Sequence, residues 1–146
     1  MFSSIVVGID GSDTAREALR QATLLARSVG ARIELVSAFE PVADSRLRES
    51  IAVPEDLHWI INPREDVEAT LEEAAAEVRE AGVAVQVFAR QGDPADAILD
   101  VAEERGSDLV VVGNKGMTGA KRFLLGSVPN KVSHHAPCSV LIIRTA

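Results

Sequence analysis

Gly106-Ser107-Asp108-Leu109-Val110-Val111-Val112-Gly113-Asn114-Lys115-Gly116 is the stretch that decides the fold. A glycine is followed almost at once by a β-branched run, the run reaches a second glycine, and a third lies three residues on. Glycine just past a helix is the favoured C-terminal stop, and a short apolar run after it reads as a buried strand. The same succession occurs twice earlier, where Gly30 leads into Ile33-Glu34-Leu35-Val36 and Gly82 into Val83-Ala84-Val85-Gln86-Val87. Helices alternating with short strands argue for βαβ units and a mostly parallel sheet covered on both faces. Right-handed crossovers then give an α/β, doubly wound sheet of five strands.

Working outward, the first strand runs from Ser4 to Asp10 and the first helix starts near Asp13 or Thr14, where Thr14-Ala15-Arg16-Glu17 fits a capping box. The apolar face of that helix is Ala15, Ala18, Leu19, Ala22, Leu25, Ala26 and Val29. A second helix carries Val67, Leu71, Ala74, Ala75, Val78 and Ala81. A third opens with the cap Asp93-Pro94 and buries Ala97, Ile98, Val101 and Ala102. The fourth runs from Val128 to His135, is stopped by Pro137, and precedes a last strand from Ser139 to Arg144. Residues 39–63 break the rhythm with Pro41, Pro54, Pro63, mixed charge and Trp59, and read as an irregular insert in a single domain spanning 1–146.

A chain of 146 residues with 47% hydrophobic content is sized for one packed core. Its net charge of -7 disfavours duplex nucleic acid or an anionic membrane as partner. Cys138 is alone and forms no internal disulfide. The N-terminus leads directly into a strand, without a charged region and long apolar segment, and the apolar runs are too short to span a bilayer. The expectation is a soluble, cytoplasmic protein.

In an open parallel sheet the ligand sits beyond the carboxyl ends of the strands, where the winding reverses. Three segments leave such ends: Gly8-Ile9-Asp10-Gly11, Ser37-Ala38-Phe39 and Gly113-Asn114-Lys115-Gly116. Nine residues after Gly116 comes Gly126-Ser127-Val128-Pro129. Strand, double glycine and helix start occur in the order that a phosphate cradle requires, because glycines admit a ligand to the main chain and first-turn amides lack intrahelical partners. Ser127 is an N-cap candidate whose hydroxyl suits phosphate equally well. Lys115, Lys121 and Arg122 are cations for phosphates or a solvated basic loop. Asp10 either accepts from ribose hydroxyls, holds a divalent cation with phosphate oxygens, or caps the first helix.

The chain has neither a Walker A loop nor a Gly-x-Gly-x-x-Gly after the first strand, so P-loop hydrolase and dehydrogenase chemistry are disfavoured. There is no Gly-x-Ser-x-Gly elbow and no obvious general base. His134 and His135 are adjacent on a helix and diverge too far to chelate one metal, Cys138 reads as a small buried apolar residue, and Glu72, Glu73, Glu77 and Glu80 read as a solvated face.

Gly113-x-x-Gly116, nine residues and Gly126-Ser127, set in a chain running from Ile5-Val6-Val7-Gly8-Ile9-Asp10-Gly11-Ser12 to Val140-Leu141-Ile142-Ile143-Arg144, resembles the ATP-binding branch of the universal stress protein family. The resemblance implies strand order 3-2-1-4-5 and an ATP site formed by Gly8, Ile9, Asp10, Ala38, Val112, Gly113, Asn114, Lys115, Gly116, Arg122, Gly126, Ser127 and Val128. In it Asp10 would contact ribose or a phosphate-bound Mg2+, Ile9 and Ala38 would line the adenine, and Val128 would add a backbone phosphate contact. It also implies a stress-response regulatory protein that binds more than it turns over, with an unknown protein partner, and pairs as a homodimer through its last strand. Cyclic AMP binding and slow ATP hydrolysis are the alternatives that the same pocket allows.

Overall fold

The computed structural model describes residues 1–40, 63–115 and 125–145. Strands and helices alternate along them: β1 Ser4–Gly8, α1 Asp13–Val29, β2 Arg32–Phe39, α2 Pro63–Glu80, β3 Val85–Gln91, α3 Pro94–Glu104, β4 Leu109–Gly113, α4 Ser127–His135 and β5 Ser139–Ile143. The five strands form one parallel sheet in the order β3-β2-β1-β4-β5, as the resemblance implies. Ile5 pairs with Ile33 on one side and with Leu109 on the other, so the winding reverses between β1 and β4.

Period-two alternation divides the strand residues between two cores. Ile5, Val7, Ile9, Ile33, Leu35, Leu109 and Val111 pack with α1 and α2, whereas Val6, Val36, Val110 and Val112 pack with α3 and α4. Both faces are covered, so β1 and β4 are buried throughout and carry near-continuous apolar runs. The stops expected after the first three helices are present: Gly30, Gly82 and Gly106 all take positive φ (75°, 82° and 61°).

Several boundaries differ from the sequence reading, each for a local reason. β1 ends at Gly8; the Ile9 amide still donates to Val36 O at 2.9 Å, but Asp10 turns out of the ladder. The N-cap of α1 is Ser12, whose Oγ accepts from the Ala15 amide at 3.2 Å, so the Thr14 capping box does not form. Glu17 instead pairs with Arg20, Nη2 to Oε1 at 2.8 Å. The N-cap of α4 is Gly126, and Ser127 is the first helical residue. Phe39 completes β2 and Pro63 opens α2, which narrows the expected insert; residues 41–62, Trp59 included, lie outside the described residues. The last strand closes at Ile143 rather than Arg144, and Ala81 lies just past α2.

One carboxylate is enclosed at the amino ends of the strands. Glu34, on the β2 face toward α3, is 0% exposed. Its Oε1 accepts from Arg32 Nε at 2.6 Å and lies 3.7 Å from Arg105 Nε, and its Oε2 accepts from Ser4 Oγ at 2.9 Å. Ser4 Oγ is in turn 3.0 Å from Ser107 Oγ. The cluster ties β1, β2 and the approach to β4 together at the end of the sheet away from the glycine loop. No described helix is long and apolar enough to cross a membrane.

Candidate nucleotide site

The carboxyl ends of β2, β1 and β4 lie side by side, as the three exiting segments require. Beyond β1 and β4 a small cleft opens between α1, α3 and α4, with Gly8, Asp10, Val112, Gly113, Lys115 and Val128 among its walls. Six of the residues expected at the site are therefore brought together.

Two of its glycines are explained by packing. Successive residues of a strand face opposite sides, so a side chain on Gly8 would point to α3 and one on Gly113 to α1. A Cβ on Gly8 would lie 2.5 Å from Ile98 Cδ1, and one on Gly113 would lie 2.5 Å from Thr14 Cγ2. Ile98 can yield by rotating its end, but Thr14 is β-branched, stiff and held in the first turn of α1. Gly113 is thus the position that lets α1 approach the end of β4. Neither Gly113 nor Gly126 takes positive φ; Gly126 has φ -62° and ψ 163°.

Asp10 shares the Val6 and Gly8 side of β1 and faces the cleft. Its Oδ1 accepts from the Ser12 amide at 2.9 Å and from the Ser12 hydroxyl, which sets Ser12 as the cap of α1. The turn role is therefore real; among the described residues Oδ2 has no hydrogen-bond partner, so the carboxylate keeps an oxygen for a ligand. No group of three or more His, Cys, Asp or Glu side chains is placed to hold a metal among the described residues. Any cation at Asp10 needs oxygens from a ligand to complete its shell.

The amino terminus of α4 supplies the anion donors. No side chain caps it, which overturns the capping role for Ser127 and leaves the first-turn amides open. The Gly126 amide donates to Asn114 O at 3.0 Å and so closes the glycine loop onto the end of β4. Lys115 lies on the cleft wall, where its ammonium adds positive charge. Lys131 braces α4 against the start of α3, its Nζ 2.9 Å from Asp96 and 3.3 Å from Asp93. Asp96 first and then Asp93 raise the Lys131 ammonium above its ordinary value, so it stays charged throughout the physiological range.

Not every expected residue converges. Ile9 is buried toward α1 and α2, where it lines a separate cleft with Gly11 and Thr70, whereas Ala38 packs on the opposite face of the sheet. The two side chains expected against adenine thus sit on opposite faces of the sheet. Asn114 uses its Oδ1 within the chain, accepting from the Thr145 amide at 2.9 Å. Gly116, Lys121 and Arg122 lie outside the described residues. Thr14, Ile98 and Pro129 line the cleft as well, although in the sequence they read only as a cap, a core residue and a helix start. Cys138 is half-buried, and burial first, then Asp108, pushes its thiol above the ordinary value, which disfavours a reactive thiolate. His134 and His135 are exposed in the last turn of α4.

Comparison with known proteins agrees with this architecture. Residues 1–144 match the model of the universal stress protein family, and the chain belongs to that family. It is 39% identical over 150 residues to the universal stress protein YxiE of Bacillus subtilis, covering 99% of this chain and 100% of that one. A universal stress protein of Thermus aquaticus is 37% identical over 144 residues, with 99% and 100% covered. Among solved structures, a universal stress protein in complex with cAMP superposes with a TM-score of 0.75 at 29% identity, covering 99% of this chain and 98% of that one.

Proposed function

We propose that the chain is a regulatory module of the stress response that binds an adenine nucleotide, with ATP as the first candidate, in the cleft between the ends of β1 and β4. The observation that carries this reading is the uncapped amino terminus of α4, opening on the same cleft as Asp10 and Lys115. First-turn amides and a lysine suit phosphate oxygens. The open oxygen of Asp10 suits a ribose hydroxyl or a Mg2+ shared with the phosphates. The main chain at Gly113, Ser127 and Val128 would carry the direct phosphate contacts, and Gly116 and Arg122 would complete the loop around them. Val112 and Gly8 would form the floor under the nucleoside.

The solved relative carrying cAMP favours cyclic AMP as a second reading for this chain. One phosphate needs no divalent cation, whereas three phosphates do best with one. Asp10→Asn separates the cases, because the amide oxygen keeps the turn to Ser12 while the charge is lost. For ATP acting through Mg2+, titration calorimetry is expected to show about tenfold weaker binding of the variant in magnesium, the scale of one charged contact, and little change in chelator. Equal weakening in both buffers would assign Asp10 to ribose, and no weakening would leave it as a turn residue alone.

The same proposal includes pairing of two copies through β5. That strand has a neighbour on one side of the sheet only, and Leu141 is 39% exposed on it. An edge with unpaired backbone groups and an apolar side chain favours an equivalent strand from a second chain. Leu141→Lys is expected to convert a dimer to a monomer without loss of fold, since charge on an edge strand blocks pairing. Light scattering would give the wild type twice the 15.5 kDa chain mass; a wild-type monomer, or a lysine variant that still dimerises, contradicts the interface.

A further inference from the structure

We propose that Thr145 is a positioning residue for the glycine loop: acting through Asn114, it fixes the end of β4 against the start of α4 and so sets how tightly the site holds phosphate. The proposal rests on the nucleotide-binding reading above. Thr145 follows β5 and reaches the site through hydrogen bonds to Asn114 and Thr14.

Asn114 is a junction of chain segments. Its amide donates to Ile143 O at 2.9 Å and its carbonyl accepts from the Gly126 amide at 3.0 Å. Its Oδ1 accepts from the Thr145 amide at 2.9 Å and lies 3.1 Å from Thr145 Oγ1. The Thr145 hydroxyl is also 3.3 Å from Thr14 Oγ1. A hydroxyl has one proton and two lone pairs, so Thr145 Oγ1 donates to Asn114 Oδ1, which can only accept, and can accept the proton of Thr14 Oγ1. Thr14 in turn places its methyl where a Gly113 side chain would stand. The first turn of α1, the end of β4, the start of α4 and the residues after β5 therefore meet at one part-buried knot.

The consequence lies in the Asn114–Gly126 bond. It joins the end of β4 to the start of α4 and helps set the α4 amides against that end. Closing a loop costs entropy, and that cost falls on ligand binding unless the protein has already met it. Asn114 is held from both sides, by Ile143 through its main chain and by Thr145 through its side chain, so the closed arrangement exists before the ligand arrives. Linkage requires the reverse effect: a ligand that tightens the loop must also protect the Thr145 amide.

Thr145→Val removes the hydroxyl at nearly constant volume and keeps the amide bond to Asn114, and Thr145→Ser restores the hydroxyl. Two readouts apply: MgATP affinity by titration calorimetry, and exchange of the Gly126 amide in ligand-free protein by NMR. The valine variant is expected to bind MgATP about three- to tenfold more weakly, the scale of one or two neutral hydrogen bonds, and to exchange Gly126 faster. The serine variant should lie within about twofold of wild type on both readouts, because it keeps those bonds. Thr145→Ala, which adds no methyl in place of the hydroxyl, replaces valine if circular dichroism shows that valine disturbs the fold. Unchanged Gly126 exchange and affinity in the valine variant would overturn the proposal, as would a serine variant as weak as valine. Failure of the wild type to bind MgATP counts against the nucleotide reading alone, and Gly126 exchange then decides the role of Thr145.

Discussion

Gly126→Val is expected to abolish nucleotide binding, by at least about 100-fold, because the branched side chain would stand at the first-turn amides of α4, where each charge-assisted hydrogen bond to phosphate is worth about 1.5–3 kcal/mol. The backbone itself accepts the change: at φ -62° and ψ 163° Gly126 occupies extended space open to any residue. Its amide bond to Asn114 O is main-chain and survives the substitution. Loss of affinity would then come from the side chain obstructing the ligand. Because Gly126 is buried, Gly126→Ala provides a gentler step and is expected to lose less. Calorimetry and circular dichroism on the same samples check both variants. A folded valine variant with wild-type affinity would remove the α4 terminus from the site.

Glu34→Ala is expected to have the largest effect on stability, about 3 kcal/mol, the lower end of the cost of breaking a buried ion pair. The lower end applies because the Arg32 and Arg105 side chains are 44% and 35% exposed and can recover some hydration. The unpaired guanidinium groups are only part of the effect. Ser4 Oγ loses its acceptor, and a void opens between β2 and α3 where the glutamate side chain is now fully enclosed. Glu34→Gln keeps an acceptor for Ser4 while removing the charge, and should fall between the wild type and alanine. Urea unfolding followed by circular dichroism measures all three, and a loss below about 0.5 kcal/mol for alanine, the range of an ordinary surface change, would contradict this account of the cluster.

The architecture was legible because period and punctuation agree. Helix stops at Gly30, Gly82 and Gly106, each followed by a β-branched run, define the βαβ rhythm, and each glycine does adopt the conformation that such a stop requires. The strand order came from the resemblance, since periodicity alone does not say which strands are neighbours. Within the site, the sequence located the segments better than the roles of their side chains. Gly113 looked like a ligand-facing glycine, but its missing side chain points to Thr14, an approach that depends on how closely α1 packs. Asp10 had three readings, and the bond from Ser12 makes the turn one definite without consuming both oxygens. Ser127 does not cap because the chain enters α4 one residue earlier, at Gly126. Glu34 and Thr145 carried no signal at all: a glutamate inside an apolar run and a threonine after the last strand acquire meaning only from partners more than two dozen residues away, Ser4 and Asn114.

The central claim, that an adenine nucleotide binds between the ends of β1 and β4, is tested most directly by an NMR titration of the isotopically labelled protein with ATP, in magnesium and in chelator, and with cyclic AMP. Saturable shifts centred on the amides of Gly8, Asp10, Gly113, Ser127 and Val128 are the predicted result. Absence of saturable shifts with either nucleotide at millimolar concentration, or shifts centred instead on the separate cleft between α1 and α2 around Thr70, would contradict it.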